Sequence, residues 1–272
     1  DSITSGGQIS LLNWSSDVDH NRSVVTFAGK AESVADAAFR AIATAARNID
    51  LSLHYGVHPR VGATDVVPFV PLQGTSMEEC IQLARQVGQR VGAELSLPVY
   101  LYEYAAIRPE RTRLEYIRRG GYEALRARIK SDSLWQPDYG PSDLGPAGAV
   151  IIGARHLLIA FNVYLSTSDI AVAKQIALQI RESSGGLPGV KAIGVLVDGL
   201  AQVSLNLTDF RRTSLFVVLK HIHEAACLHG TSIQRTELIG LIPQAALQPL
   251  SPYMTPIAEQ QILEVQLSSV SR

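Results

Sequence analysis

Cysteine is scarce in this chain: two residues, Cys80 and Cys227, among 272. Two thiols build neither a disulfide framework nor a thiolate metal site. Charge of one sign is lacking as well. With 24 basic and 25 acidic residues the net charge is −1, so no global positive field exists to hold nucleic acid or a membrane surface. Long apolar runs are missing too. The richest, Gly148 to Phe161, is broken by Arg155 and His156 and falls short of the roughly 20 residues of a membrane span. Aromatic residues amount to 6% and interleave only sparsely with the basic ones, which disfavours a nucleic-acid module. No secretory leader opens the chain. A reducing cytoplasm is therefore the expected location, and the start on Asp1 rather than Met suggests a natural beginning upstream. What is present is an ordinary globular composition, 46% hydrophobic and 18% charged. Its length suits one large domain or two small ones.

Periodicity divides the chain. Asp1 to Gln8 reads as a disordered lead-in. Ile9 to Asn13 and Arg22 to Ala28 read as strands joined by a polar turn. Val34, Ala38, Ala41 and Ala45 space a helix over Ala31 to Asn48. Asp65 to Leu72 and Pro98 to Tyr104 read as strands. Ser76, with Glu79 three residues on, caps a helix running to Glu94. Arg111 to Ile129 is a broken basic helix. Trp135 to Gly148, dense in proline and glycine, is an ordered loop or a linker. Beyond it the pattern is strand, helix, strand, strand, helix, strand: His156 to Leu165, Asp169 to Glu182, Val190 to Asp198, Gln202 to Asp209, Ser214 to Leu228 and Gln234 to Ile242. A last helix spans Ala258 to Leu267. The fold class is thus α/β (α+β), with two subdomains, 1–147 and 148–272, each a mixed sheet carrying helices. The second has the ferredoxin-like β-α-β-β-α-β order.

Four segments carry chemistry. The first, His54 to Asp65, holds His58-Pro59-Arg60. Histidine moves protons near neutral pH, and Arg60 is a ready anion clamp. A purely structural loop is the rival reading. His54-x3-His58 could hold a metal only on a helix, which Gly56 and Pro59 oppose. The second, Asp17-Val18-Asp19-His20-Asn21-Arg22, either caps its own turn or orients a nearby histidine. The third runs from Asp138 through Gly140-Pro141-Ser142-Asp143-Leu144-Gly145-Pro146-Ala147-Gly148. Its glycines, Gly140 first, would let backbone approach a flat ligand. Arg108 to Lys130, the fourth, holds eight basic and three acidic residues. It is either a solvated helix face or a local anion-docking patch.

In this order the segments resemble the formiminotransferase domain family. The blocks that carry the resemblance are His58-Pro59-Arg60-x-Gly62-Ala63 with Asp65 and Pro68-Phe69, Pro98 to Tyr102, Trp135-x-Pro137-Asp138-Tyr139-Gly140-Pro141, and Gly153-Ala154-Arg155. They continue with Leu158 to Asn162, Ala201-Gln202-Val203-Ser204-x-Asn206-Leu207-x-Asp209-Phe210 and Glu237 to Pro243. The resemblance runs from about Leu11 to Leu267. It implies two α/β subdomains with a folate-binding tunnel between them, assembled as a homodimer. It also implies transfer of a formimino group from N-formimidoyl-L-glutamate to tetrahydrofolate, expected to carry a polyglutamate tail, and no metal.

The residues it implies are His58 as the proton-transfer group, Asp17 or Asp19 orienting it, and Arg60, Asn21 and Asn162 as substrate contacts. Gly140 to Gly148 would contact folate. Family members open on a strand and helix with a Val-Pro-Asn-Phe-Ser-Glu-Gly-like segment that Asp1 to Gln8 does not match. A truncated, non-catalytic folate-binding or dimerising relative is therefore one alternative, and a glutamate formyltransferase another. No cyclodeaminase portion follows, so any such partner is expected as a separate chain.

Overall fold

The computed structural model describes residues 2–6, 8–17, 21–54 and 60–270. They form two compact units, Asp1–Arg155 and His156–Arg272. The division falls one strand beyond the Gly148 boundary expected from composition. The reason is β5, described below, which completes the first unit's sheet.

The first unit opens with a short 3-10 turn, Thr4–Gly6. Where a disordered lead-in was expected, the described residues Ser2 and Ile3 are held: Arg40 donates from Nε to the Ser2 carbonyl at 2.8 Å and from NH2 to that of Ile3 at 3.0 Å. Strands β1 (Ile9–Asp17) and β2 (Arg22–Gly29) pair antiparallel as a separate hairpin. Helix α1 (Ala31–Asn48) follows, burying Ala38, Phe39 and Ile42. Next come β3 (Val66–Phe69), α2 (Met77–Glu94) and β4 (Val99–Glu103). The expected cap is present: Ser76 Oγ accepts from Glu79 N, and Glu79 reaches back to Ser76 N. The basic segment is two helices, α3 (Leu114–Ile117) and α4 (Gly121–Arg128), broken at Gly120, which takes a left-handed conformation. Strand β5 (Val150–Ala154) closes the unit.

The parallel sheet has the order β3-β5-β4, with β5 in the centre. Alternation along β4 and β5 splits the core. Val99, Leu101, Val150 and Ile152 face α1 and α2. Tyr100, Tyr102 and Ile151 face α3, α4 and the loop that holds Trp135 and Leu144.

The second unit contains β6 (Ile159–Leu165), α5 (Ile170–Ile180), β7 (Val190–Val197), β8 (Leu200–Leu207), α6 (Leu215–Leu228), β9 (Ile233–Ile239) and α7 (Leu263–Val270). Its antiparallel sheet has the order β7-β8-β6-β9, the ferredoxin-like arrangement. Ile159, Phe161, Val163 and Leu165 pack under α5 and α6. The intervening residues, Asn162 and Tyr164, turn to the opposite face. Among the described residues, no helix is long and apolar enough to cross a membrane.

Candidate active site

In the first unit, residues 60–65 and 140–149 meet at the amino ends of β3 and β5. Ala149 N donates to the Val61 carbonyl at 2.9 Å and Ala63 N to that of Ala147 at 2.8 Å, with Gly62 and Gly148 opposed between them. A Cβ on Gly62 would sit 1.7 Å from the Ala149 oxygen, so the approach demands glycine. Leu51 N donates to the Pro146 carbonyl at 2.8 Å, and Tyr122 Oη to that of Gly145 at 3.3 Å. The proline–glycine segment is therefore built into the first unit and is not a linker. Its other end is pinned by a buried ion pair: Arg111 NH1 donates to Asp138 Oδ1 at 2.7 Å, while Asp138 Oδ2 accepts from Leu101 N at 2.8 Å. Between the two anchors, the N–H groups of Ser142, Asp143, Leu144 and Gly145 donate to no described atom.

The turn after the expected catalytic block is equally tied. Asp65 Oδ1 accepts from Val61 N at 2.8 Å, and Oδ2 accepts from Arg118. Arg60 forks onto Glu123, 3.0 Å from NH2 to Oε1 and 3.4 Å from NH1 to Oε2, and its NH2 also donates to the His54 carbonyl at 3.0 Å. The Arg60 guanidinium holds the Glu123 carboxyl below its ordinary pKa. His54 Nε2 lies 3.0 Å from the Asn21 carbonyl, and Asn21 has φ +45°. His54 Nδ1, Arg60 Nε and Arg118 Nε are buried without a partner among the described residues. An unpaired buried polar atom costs about 1–3 kcal/mol, and such atoms gather at functional sites.

Of the expected proton-transfer residues, His58 and Asp19 lie outside the described residues. Asp17 ends β1 with its backbone opposite Arg22, and its side chain is likewise outside the description. Asn21, Arg60 and the Gly140–Gly148 loop fall in the first unit. Asn162 lies in the second, where its Nδ2 donates to Glu237 Oε2 at 3.2 Å. Tyr164 Oη donates to the same oxygen at 3.0 Å. Among the described residues, no group of three histidine, cysteine, aspartate or glutamate side chains could hold a metal.

Sequence reasoning missed Asp65–Arg118, Arg60–Glu123 and Arg111–Asp138, because their partners are far apart in the chain. The second-unit cluster had a visible signal. Polar residues alternate with core residues at Asn162 and Tyr164 on β6, and at Gln202, Ser204 and Asn206 on β8.

Comparison with known proteins adds an independent line. Residues 1–155 match the model of the formiminotransferase domain's N-terminal subdomain, and residues 160–268 match that of the formiminotransferase domain. The chain is 45% identical over 257 residues to a glutamate formimidoyltransferase of Thermoplasma acidophilum, covering 93% of this chain and 84% of the relative. One of Streptococcus pyogenes is 41% identical over 263 residues, 94% of this chain and 88% of the relative. A formimidoyltransferase-cyclodeaminase of Mus musculus is 44% identical over 247 residues, 87% of this chain but 45% of the relative. On these matches the chain belongs to the formiminotransferase domain family.

Proposed function

We propose that this chain transfers the formimidoyl group of N-formimidoyl-L-glutamate to tetrahydrofolate, releasing L-glutamate. The observation that carries this reading is similarity over nearly the whole chain to relatives named for that reaction. A bond forms between a folate nitrogen and the formimidoyl carbon as the bond from that carbon to the glutamate nitrogen breaks. The carbon keeps its oxidation state, so the step calls for proton transfer and positioning rather than an electron carrier.

His58 takes the proton from the attacking nitrogen and returns it to the departing one. Asp17 or Asp19 fixes the imidazole's tautomer. Asn21, Arg60 and Asn162 contact the donor. The fork that Arg60 makes with Glu123 is the geometry a substrate carboxylate needs, and Glu123 is 66% exposed, so exchange is cheap. The loop from Gly140 through Pro141, Ser142, Asp143, Leu144, Gly145, Pro146, Ala147 and Gly148 contacts folate. Its run of undonated N–H groups suits the ring nitrogens and carbonyl of a pterin. The protein works in the cytoplasm as a homodimer.

Release of glutamate from N-formimidoyl-L-glutamate in the presence of tetrahydrofolate tests the reading. His58→Ala should lower kcat by roughly 10²–10⁴-fold. A folded variant with near-full turnover would remove His58 from the mechanism.

A further inference from the structure

His54 has no role in the transfer as described above, yet the first unit fixes its ring. Nε2 lies 3.0 Å from the Asn21 carbonyl, which can only accept, so Nε2 carries the hydrogen. Asn21 offers that carbonyl from a left-handed backbone, φ +45°, which asparagine tolerates better than most residues. In the neutral ring the other nitrogen, Nδ1, is then a bare acceptor. It is buried and has no partner among the described residues. One hydrogen bond away stands the opposite deficit. Arg60 NH2 donates to the His54 carbonyl at 3.0 Å, and Arg60 NH1 and NH2 fork onto Glu123. Those bonds occupy the end of the guanidinium. They leave the Nε–H on its flank, buried and likewise without a partner among the described residues. The Arg60 side chain is 17% exposed and that of Glu123 66%, so a ligand from solvent can reach the guanidinium. An orphaned acceptor and an orphaned donor, on two residues joined by a hydrogen bond, call for a ligand with an N–H and a carboxylate side by side.

We propose that His54 Nδ1 accepts the N–H of the donor's glutamate nitrogen while Arg60 Nε donates to the adjacent α-carboxylate. Together they read the –NH–CH–COO⁻ unit of an N-substituted amino acid. This deepens the transfer reading above and rests on it: Asn21 and Arg60, the two residues bonded to His54, are donor contacts there. The nitrogen that His54 holds is the one that departs when the formimidoyl carbon moves to folate. His54 moves no proton. It accepts one hydrogen bond and so fixes which way that nitrogen faces, while Arg60 supplies the charge-assisted bond to the carboxylate. An ester analogue has oxygen in place of the N–H. Against Nδ1 that sets acceptor against acceptor, and a buried acceptor left without its donor discriminates strongly between ligands of the same shape. A histidine that served only to brace Asn21 would not distinguish them.

His54→Gln keeps an N–H for the Asn21 carbonyl and removes the bare ring nitrogen. His54→Phe keeps the bulk of the ring and removes both. The probes are N-acetyl-L-glutamate and its ester counterpart, L-2-acetoxyglutarate, titrated calorimetrically into the wild type and each variant, with a melting curve to confirm folding. The wild type should bind the amide more tightly than the ester, on the order of tenfold. Both variants should bind the two alike, and His54→Gln should hold the ester about as well as the wild type does. Equal affinities in the wild type, no binding of either probe, or a preference that survives in His54→Gln overturns the assignment. Glutamate release from N-formimidoyl-L-glutamate, measured separately, tells the two readings apart. Turnover with equal affinities removes His54 alone. A His54-dependent preference without turnover removes the transfer reading and keeps His54 as a contact for an N-acylated amino acid.

Discussion

Gly140 and Gly145 share a loop, yet the structure gives them different work. Gly140 has φ +81°, and a Cβ there would lie 2.1 Å from the Leu97 carbonyl oxygen. The side of Gly140 that a Cβ would occupy is filled by the chain itself. At Gly145 nothing lies within 4 Å of an added Cβ. Gly140→Val should therefore cost stability first, at least about 1–2 kcal/mol for the left-handed backbone alone, with the carbonyl clash on top. Gly145→Val should leave thermal unfolding nearly unchanged and weaken folate binding about tenfold, equivalent to about 1.4 kcal/mol. Calorimetric titration and a melting curve on each variant separate the two. Full folate affinity in Gly145→Val would make the outer part of this loop a bystander. The residue types of this site were legible, because glycine, proline and histidine announce turns and proton transfer. Their partners were not. Nothing local says that Arg60 forks onto Glu123 or that Arg118 reaches Asp65, since each pair closes a long loop through tertiary packing.

Elements were most legible where one of their faces is wet, although β4, buried on both faces, was read from its alternating Val99, Tyr100, Leu101 and Tyr102. Helix α1 spans the expected Ala31–Asn48, and α2 starts at the expected Ser76 cap, because amphipathic spacing and capping are local signals. The second unit's strands followed from period-2 alternation under two helices. Strand β5 escaped notice for the opposite reason. Val150, Ile151, Ile152, Gly153 and Ala154 are all buried, one set against α1 and α2 and the other against α3 and α4. A central parallel strand shows a continuous apolar run with no alternation to read. Its position makes it the place to test the first unit's core. Ile152→Ala should destabilise the chain by about 2–5 kcal/mol. Ile193→Ala on β7, where the side chain is 58% exposed, should change stability by about 0.5 kcal/mol or less. Urea unfolding of both variants checks the contrast, and a small effect at Ile152 would mean that β5 is not central to the first unit.

Across the whole molecule the charges nearly cancel, so any field that guides a ligand must be local. Arg108 to Lys130 is the place where positive charge accumulates, but the structure trims the excess. Arg111 is buried against Asp138, Arg118 pairs with Asp65, and Lys130 pairs with Asp143 at 2.9 Å. Arg113, Arg119 and Arg126 remain exposed without an ion pair among the described residues. Arg128 stacks over Trp135, 5.1 Å from its ring centroid. The Lys130–Asp143 and Arg128–Trp135 contacts put this basic segment beside the loop expected to hold folate. A polyglutamate tail leaving that loop would meet arginines, and each added glutamate brings one carboxylate. An exposed ion pair contributes only ~0.2–1 kcal/mol, so a tenfold preference for pentaglutamyl over monoglutamyl folate, about 1.4 kcal/mol, needs two or three of them together. Salt should shrink that preference, because exposed charges are screened over about 10 Å at 0.1 M. The affinities of both folates at low and high salt decide the matter. Arg113→Gln with Arg126→Gln should lower the pentaglutamyl affinity and spare the monoglutamyl one. Equal affinities at low salt would leave the segment a solvated helix face whose buried members, Arg111 and Arg118, serve the fold alone.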